Sequence, residues 1–204
     1  MKQSLKLFAV LALAAFTALS PSMAKAGPMT NIPSMGSPTA PVTIVEYASL
    51  TCSHCADFYN EVMPEIEKRY VDTGKVRFIY RDFPLDAYGL HAATLAHCMP
   101  NTLFYPFIKI LFKNQRSWIM APKYKDVLVK YAEMSGLPSA RATSCIQDTK
   151  LMDQVIAVRT EASQKYDITA TPTFIINDGE EKILGARSLK EFASVIDKHL
   201  AKKK

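Results

Sequence analysis

Beyond its N-terminal end, this chain of 204 residues lacks any apolar run long enough to span a bilayer, which takes about 20 residues. It has no internal repeat and no low-complexity segment, so solenoid and fibrous architectures are excluded. Its lysines and arginines form no stripe interleaved with aromatic residues, which disfavours nucleic-acid binding. With 49% hydrophobic residues, the chain is expected to be a globular protein that buries a real core.

The N-terminal end has the layout of an export signal. Lys2 and Lys6 form a basic start, residues 7–19 form an apolar stretch, and residues 24–26 place small side chains at cleavage positions. We expect residues 1–26 to be a cleaved secretory signal, with an uncleaved membrane anchor as the alternative. Residues 27–41 are rich in proline, glycine, serine and threonine, and we expect them to be a flexible leader.

The chain has few cysteines, and they are unevenly spaced. Two of the four cysteines, Cys52 and Cys55, are separated by two residues, whereas Cys98 and Cys145 stand alone. In an exported chain, four cysteines point to an oxidising compartment. A Cys-X-X-Cys pair can be half of a zinc site, a structural bridge or a redox pair. The chain has no second Cys-X-X-Cys to complete a zinc site with Cys52, His54 and Cys55, which weakens the zinc alternative.

The surroundings of the pair favour the redox interpretation. Residues 42–47 are β-branched and apolar enough for a buried strand, and residues 56–70 read as a helix that Pro64 should kink or split. Cys52 is therefore predicted at a helix N-terminus, where unpaired N–H groups and the helix dipole stabilise an anion. We expect an acidic, nucleophilic Cys52 and a less exposed Cys55 that acts as its resolving partner. His54 can further stabilise the Cys52 thiolate.

Glu46 lies inside the predicted strand that precedes the pair. A carboxylate buried among apolar residues loses hydration, so its pKa should rise and it can hold a proton near neutral pH. Our hypothesis is that Glu46 exchanges a proton with Cys55. The alternative is a solvated carboxylate at the end of the strand.

The rest of the chain predicts a mixed α/β fold. Residues 75–81 form a second predicted strand, and residues 88–166 carry helical spacing with proline and glycine breaks, typical of four or five short helices. Residues 173–176 and 181–184 flank a turn and predict a hairpin. Ser188 and Glu191 form a capping box that opens a final helix to about residue 200.

This order of elements resembles a known family. A strand, a Cys-X-X-Cys pair opening a helix, and later Thr171-Pro172 before a hairpin and a closing helix resemble the thioredoxin fold. The long helical segment resembles that of the DsbA-like thiol:disulfide oxidoreductases of the bacterial periplasm, over roughly residues 40–200. The resemblance implies a thioredoxin-fold domain of residues 42–87 and 167–204, with residues 88–166 as an all-helical insertion.

The resemblance also implies roles for the remaining residues. Thr171-Pro172 corresponds to a loop that carries a cis-proline beside the nucleophile and binds extended substrate; an ordinary trans-proline is the alternative. Cys98 and Cys145 are expected to form a disulfide between two helices, with free thiols or a second redox pair as alternatives. The residues Ser53-His54 differ from the Pro-His of the best-known DsbA proteins.

The expected function is that of a dithiol oxidase. It would donate a disulfide to reduced exported polypeptides and be reoxidised by a membrane partner of the DsbB type, which the resemblance implies. We expect a monomeric periplasmic enzyme without metal or other cofactor. A disulfide isomerase or reductase, a zinc-binding module and a purely structural disulfide protein are the alternatives. His91 and His97 are expected to be structural or exposed, and the aromatic residues of 104–107 with Trp118 and Met120 to be core rather than a peptide groove.

Overall fold

The structure, a computed structural model, describes residue 29 and residues 33–203. The predicted export signal, residues 1–26, lies outside the described residues. Within the described part of the chain, no helix combines the length and the apolar character that a membrane crossing requires.

The core of the fold is a mixed four-stranded sheet in the order β2-β1-β3-β4. Strand β1 (Val42–Ala48) pairs in parallel with β2 (Val76–Asp82) and antiparallel with β3 (Thr173–Ile176). Strand β4 (Glu181–Leu184) completes the predicted hairpin with β3. The central position of β1 explains its apolar, β-branched sequence, because both of its faces and both of its edges are covered.

The cysteine helix, residues 53–71, is a continuous helical segment with two wide π-helical turns. It consists of α1 (Ser53–Asp57), a π-turn (Phe58–Val62), α2 (Met63–Ile66) and a second π-turn (Glu67–Val71). Pro64 interrupts the regular hydrogen-bond ladder, as predicted, because it has no N–H to donate. The helix absorbs this loss by widening immediately before the proline.

Between the two halves of the sheet the chain forms six helices rather than the predicted four or five: α3 (Ala87–Ala96), α4 (Asn101–Lys113), α5 (Gln115–Ile119), α6 (Tyr124–Met134), α7 (Ser139–Cys145) and α8 (Thr149–Tyr166). Two of them, with 5 and 7 residues, are too short to show a helical period in the sequence. The last has 18 residues, since Asp148 caps its start and no proline or glycine interrupts it. The closing helix α9 (Leu189–Ala201) begins with the predicted capping box.

The aromatic residues expected in the core are there. Phe104, Tyr105, Phe107 and Trp118 are all buried, and the indole N–H of Trp118 donates to the carbonyl of Leu111 at 2.9 Å. Met120 is different, because it is 73% exposed. The prediction of a core role was therefore correct for the aromatic residues and wrong for Met120.

The described part of the predicted flexible leader is in contact with the sheet. Met35 forms an antiparallel bridge with Phe78 at the outer edge of β2, with both backbone hydrogen bonds at 2.9 Å. The carbonyl of Pro33 accepts a hydrogen bond from the Tyr105 hydroxyl at 2.9 Å. The physical reason for this difference is the open edge of β2, whose backbone groups need partners.

Candidate active site

Cys52 lies where the structure turns from β1 into the cysteine helix, as predicted. It is the residue immediately before α1, with extended backbone angles of φ −80° and ψ 121°. Its backbone N–H donates to the Ser49 carbonyl at 3.1 Å, which closes the turn, and its side chain is half-buried. The sulfur is therefore placed at the N-terminus of the helix, where backbone N–H groups are unpaired.

The pKa of Cys52 is lowered from 9.0 to about 5. The largest cause is a hydrogen bond from the Cys55 thiol, followed by contributions from Thr171 and from the backbone N–H groups of Cys55 and His54. Partial burial opposes these effects without cancelling them. At neutral pH the thiolate is thus the stable form of Cys52.

Cys55 has the opposite character. It is fully buried one turn into the helix, and its pKa is raised, first by burial and then by the neighbouring Cys52 sulfur and the Glu46 carboxyl. Both sulfurs are free, so the structure represents the reduced pair. The two cysteines therefore differ in access and in acidity, which is the difference that a nucleophile and a resolving thiol require.

The ring of His54 lies at the surface. Its side chain is 74% exposed, and Nδ1 is 3.6 Å from a carboxylate oxygen of Asp57. It is the backbone N–H of His54 that lowers the pKa of Cys52. The role predicted for the His54 imidazole therefore stays a prediction, because only the backbone of this residue is seen to act on Cys52.

Glu46 is fully buried on β1, where it pairs in register with Tyr80 of β2 and Phe174 of β3. Neither carboxylate oxygen has a hydrogen-bond partner among the described residues. Burial, and next the negative charge on Cys52, raise its pKa well above the ordinary value of 4.5. A contact with the Tyr59 hydroxyl opposes this rise but falls short of hydrogen-bond geometry. The alternative of a solvated carboxylate was wrong, because the strand is central and not at an edge.

The Thr171–Pro172 peptide bond is cis. The Cys52 sulfur lies 3.4 Å from the Thr171 carbonyl oxygen, to which it donates when protonated, so this loop lies against the nucleophile. The Pro172 carbonyl accepts from the N–H of Gly185 at 2.9 Å, and the Thr173 hydroxyl donates to the Ala170 carbonyl at 2.8 Å. Both ends of the loop are thereby tied to the sheet.

Gln115, at the start of α5, is a site residue that sequence reasoning missed. Its amide Nε2 donates to the carbonyls of both Leu50 and Cys52, each at 2.9 Å. The Leu50 carbonyl precedes the helix, and the Cys52 carbonyl also accepts the first helical hydrogen bond, from the Ala56 N–H at 3.2 Å. The helical insertion therefore holds the cysteine turn (residues 49–52) in place. No local signal in the sequence indicates this contact, because Gln115 and Cys52 are 63 residues apart.

A second missed contact also joins the insertion to the cysteine turn. Gly89 of α3 packs against this turn, since a Cβ atom there would lie 3.1 Å from the Ser49 hydroxyl and 3.2 Å from that of Thr51. These two hydroxyls are hydrogen-bonded to each other at 2.9 Å. The absence of a side chain at residue 89 lets the helix approach this closely.

The remaining candidate residues lie away from the pair. Cys98 and Cys145 are joined by a disulfide, with their Cα atoms 6.4 Å apart, which links the ends of α3 and α7. His91 is hydrogen-bonded to the Tyr124 hydroxyl at 2.8 Å, and His97 to Asp82 at 2.5 Å. Within residues 33–203, no three histidine, cysteine or acidic side chains are grouped as a metal site.

Comparison with known proteins identifies relatives over most of the chain. A family model described as thioredoxin matches residues 29–198. The crystal structure of Wolbachia pipientis alpha-DsbA1 is similar, with 38% sequence identity and a TM-score of 0.78, covering 87% of this chain and 97% of that one. The structure of oxidised BdbD from Bacillus subtilis has the same fold, with 23% identity and a TM-score of 0.72, over 83% of this chain and 93% of that one.

Curated relatives include a putative protein-disulfide oxidoreductase of Rickettsia felis. It is 29% identical over 171 residues, which are 83% of this chain and 60% of that protein. Across the rickettsial relatives, this chain spans between 53% and 65% of their length.

Proposed function

This chain belongs to the thioredoxin family as a DsbA-like member, and we propose that it is a protein-disulfide oxidoreductase working as a dithiol oxidase. The observation that carries the proposal is the asymmetry of the Cys52–Cys55 pair, with an acidic, accessible Cys52 and a buried, weakly acidic Cys55. Stabilising the Cys52 thiolate stabilises the reduced enzyme, and this makes its disulfide easier to reduce. Each tenfold stabilisation of the reduced form raises the potential of the pair by about 30 mV.

Oxidation of a substrate proceeds in two exchanges. A substrate thiolate attacks Cys52 Sγ of the oxidised pair, the bond to Cys55 Sγ breaks, and Cys55 leaves and takes up a proton. A second substrate thiolate then attacks the substrate sulfur of the mixed disulfide, and Cys52 leaves as a thiolate. The substrate loses two electrons and gains a disulfide, while the enzyme is reduced to the dithiol. Cys52 is the better leaving group of the two because its thiolate is the more stable.

The substrates are reduced exported polypeptides bound in an extended conformation. The loop of Thr171 and Pro172 supports this, because its backbone lies against the Cys52 sulfur, where a bound strand would meet the nucleophile. A membrane oxidant of the DsbB type would restore the Cys52–Cys55 disulfide. The chain would act as a monomer in the periplasm after removal of residues 1–26. Metal or another cofactor has no part in these exchanges.

The proposal is tested by oxidative refolding of a reduced, unfolded disulfide protein in the presence of the oxidised enzyme. We expect the wild type to accelerate disulfide formation and Cys52→Ala to abolish the acceleration. Cys55→Ala cannot form the Cys52–Cys55 disulfide, so it should abolish the acceleration as well. The double variant Cys98→Ala/Cys145→Ala is the matched control, because it removes two cysteines but keeps the pair. A Cys52→Ala enzyme as fast as the wild type would overturn the proposal.

A further inference from the structure

Three buried polar groups near the cysteine pair have no hydrogen-bond partner among the described residues: the Thr171 hydroxyl, the Glu46 carboxylate and the Tyr59 hydroxyl. The last two lie close to each other. One is an acceptor when ionised and the other is a donor. We propose that Tyr59 is a positioning residue for thiol–disulfide exchange, whose hydroxyl donates a hydrogen bond to the Glu46 carboxylate whenever that carboxyl is ionised. This inference rests on the proposed function and deepens it.

The sequence explains why Tyr59 lies in a widened turn of the cysteine helix. Pro64 cannot donate to the preceding turn, and the helix widens over Phe58–Val62, which contains Tyr59. Such π-turns change the direction in which a helical side chain points, and they occur frequently at functional sites. The Tyr59 ring is then held by stacking on Phe112, with ring centroids 4.5 Å apart, and by an edge contact with Tyr80 at 6.2 Å.

Glu46 has ionisable neighbours in three parts of the fold. The cysteine helix and the residue before it contribute Cys52, Cys55 and Tyr59, β2 contributes Tyr80, and α4 contributes Tyr105. On the remaining side, β3 presents the apolar Phe174 in register with Glu46.

The other two tyrosines already use their hydroxyls elsewhere. The Tyr80 hydroxyl donates to the Ala48 carbonyl at 3.5 Å. The Tyr105 hydroxyl lies 2.9 Å from the Pro33 carbonyl and 3.2 Å from that of Phe78. Tyr59 is therefore the tyrosine near Glu46 whose donor has no other acceptor among the described residues.

Tyr59 acts in the step that closes the Cys52–Cys55 disulfide. In the mixed disulfide between Cys52 and the oxidant, Cys55 Sγ–H gives its proton to the Glu46 carboxylate. The Cys55 sulfur then bonds to Cys52 Sγ, and the oxidant's sulfur leaves with the electron pair. Because Glu46 must be ionised before this step, a donor that stabilises its anion lets the step run at lower pH. Tyr59 keeps its own proton throughout, because burial raises its pKa well above the ordinary value of 10.0.

The test is Tyr59→Phe, which removes only the hydroxyl. Two quantities are measured: the titration of the Glu46 carboxyl by carbon NMR of the reduced protein, and the pH dependence of single-turnover reoxidation by oxidised glutathione. We expect both midpoints to move upward by about one pH unit, the size of shift that one hydrogen bond to a charged group produces. Tyr80→Phe is the matched control, since it removes a neighbouring buried hydroxyl bonded to Ala48, and it should leave both midpoints in place.

A second comparison separates positioning from a general structural effect. In a Glu46→Gln background, Tyr59→Phe should no longer change the pH profile. An unchanged Glu46 titration in Tyr59→Phe, or an equal change in Tyr80→Phe, would overturn the inference. The NMR titration does not depend on catalysis, so it tests Tyr59 even if the refolding assay fails and the proposed function is wrong.

Discussion

The Cys52 sulfur lies 3.4 Å from the carbonyl oxygen of Thr171, although 119 residues separate the two along the chain. The contact joins the start of the cysteine helix to the loop before β3. It places the nucleophile beside backbone that an extended polypeptide can pair with. In the proposed function, the pairing of β1 with β3 brings the nucleophile and the substrate-binding loop together.

The first prediction concerns the acidity of Cys52. Ultraviolet thiolate absorbance of the reduced protein should titrate with a pKa of about 5, because Cys55 and backbone N–H groups stabilise the anion. Since this pKa is depressed on folding, the stabilisation of the reduced protein is complete above the unfolded cysteine pKa and is lost as the pH falls through about 5. Cys55→Ala, which removes the largest contribution, should raise the pKa. A value near 9 in the wild type would contradict the account.

The second prediction concerns the cost of burying Glu46. Its pKa is raised on folding, so the protein should lose stability as the pH rises above the ordinary carboxyl value of 4.5 and through the folded pKa. Glu46→Leu should remove this loss and increase the free energy of unfolding at pH 7 by about 1–3 kcal/mol. The measurement is urea unfolding across pH.

Glu65→Leu, on an exposed face of α2, is the control for the change of residue type and should give no such gain. If Glu46→Leu instead lowered the free energy of unfolding and kept the wild-type pH dependence, the buried Glu46 carboxyl would not be destabilising the protein.

The third prediction concerns Gln115, whose amide donates to two carbonyls of the cysteine turn. Gln115→Glu keeps the shape of the side chain but replaces the donor with an acceptor, which repels both carbonyls. We expect a loss of about 1–3 kcal/mol in unfolding free energy and a slower reaction of Cys52 with a disulfide reagent. Gln164→Glu makes the same charge change at an exposed position of α8 and should have little effect. Equal effects of both variants would refute a specific role of Gln115.

The fourth prediction concerns the Cys98–Cys145 disulfide, which closes a loop of 47 residues. In the chain-entropy model, its removal in Cys98→Ala/Cys145→Ala should cost roughly 4 kcal/mol of stability. Thermal unfolding measures this cost. Cys52→Ala/Cys55→Ala is the comparison, because a bridge across three residues constrains the unfolded chain little. If the two double variants lost equally little stability, the Cys98–Cys145 disulfide would not stabilise the protein.

The parts of the site that sequence reasoning found are those with a local signal. The strand before the pair, the helix after it, the capping box at Ser188 and the hairpin all follow from periodicity and turn chemistry. Glu46 was identified because a charged residue in an apolar strand breaks its pattern. These features depend on neighbours in the sequence, so one sequence is enough to predict them.

The missed parts depend on contacts between distant segments. Gln115 reads as an ordinary polar residue, and only the packing of α5 against the cysteine turn gives it a function. Tyr59 reads as a core aromatic, although Pro64 gave an indirect signal by forcing a wide turn around it. The bridge of Met35 to Phe78 likewise follows from an open sheet edge that the sequence of residues 27–41 does not reveal.

The most direct test of the central claim is the equilibrium redox potential of the Cys52–Cys55 pair, measured against glutathione at pH 7. A stabilised Cys52 thiolate predicts an oxidising pair, with a potential above about −200 mV. Such a value would establish the energetics of a disulfide donor. A potential near about −270 mV, typical of a reductant on the same fold, would contradict the oxidase assignment.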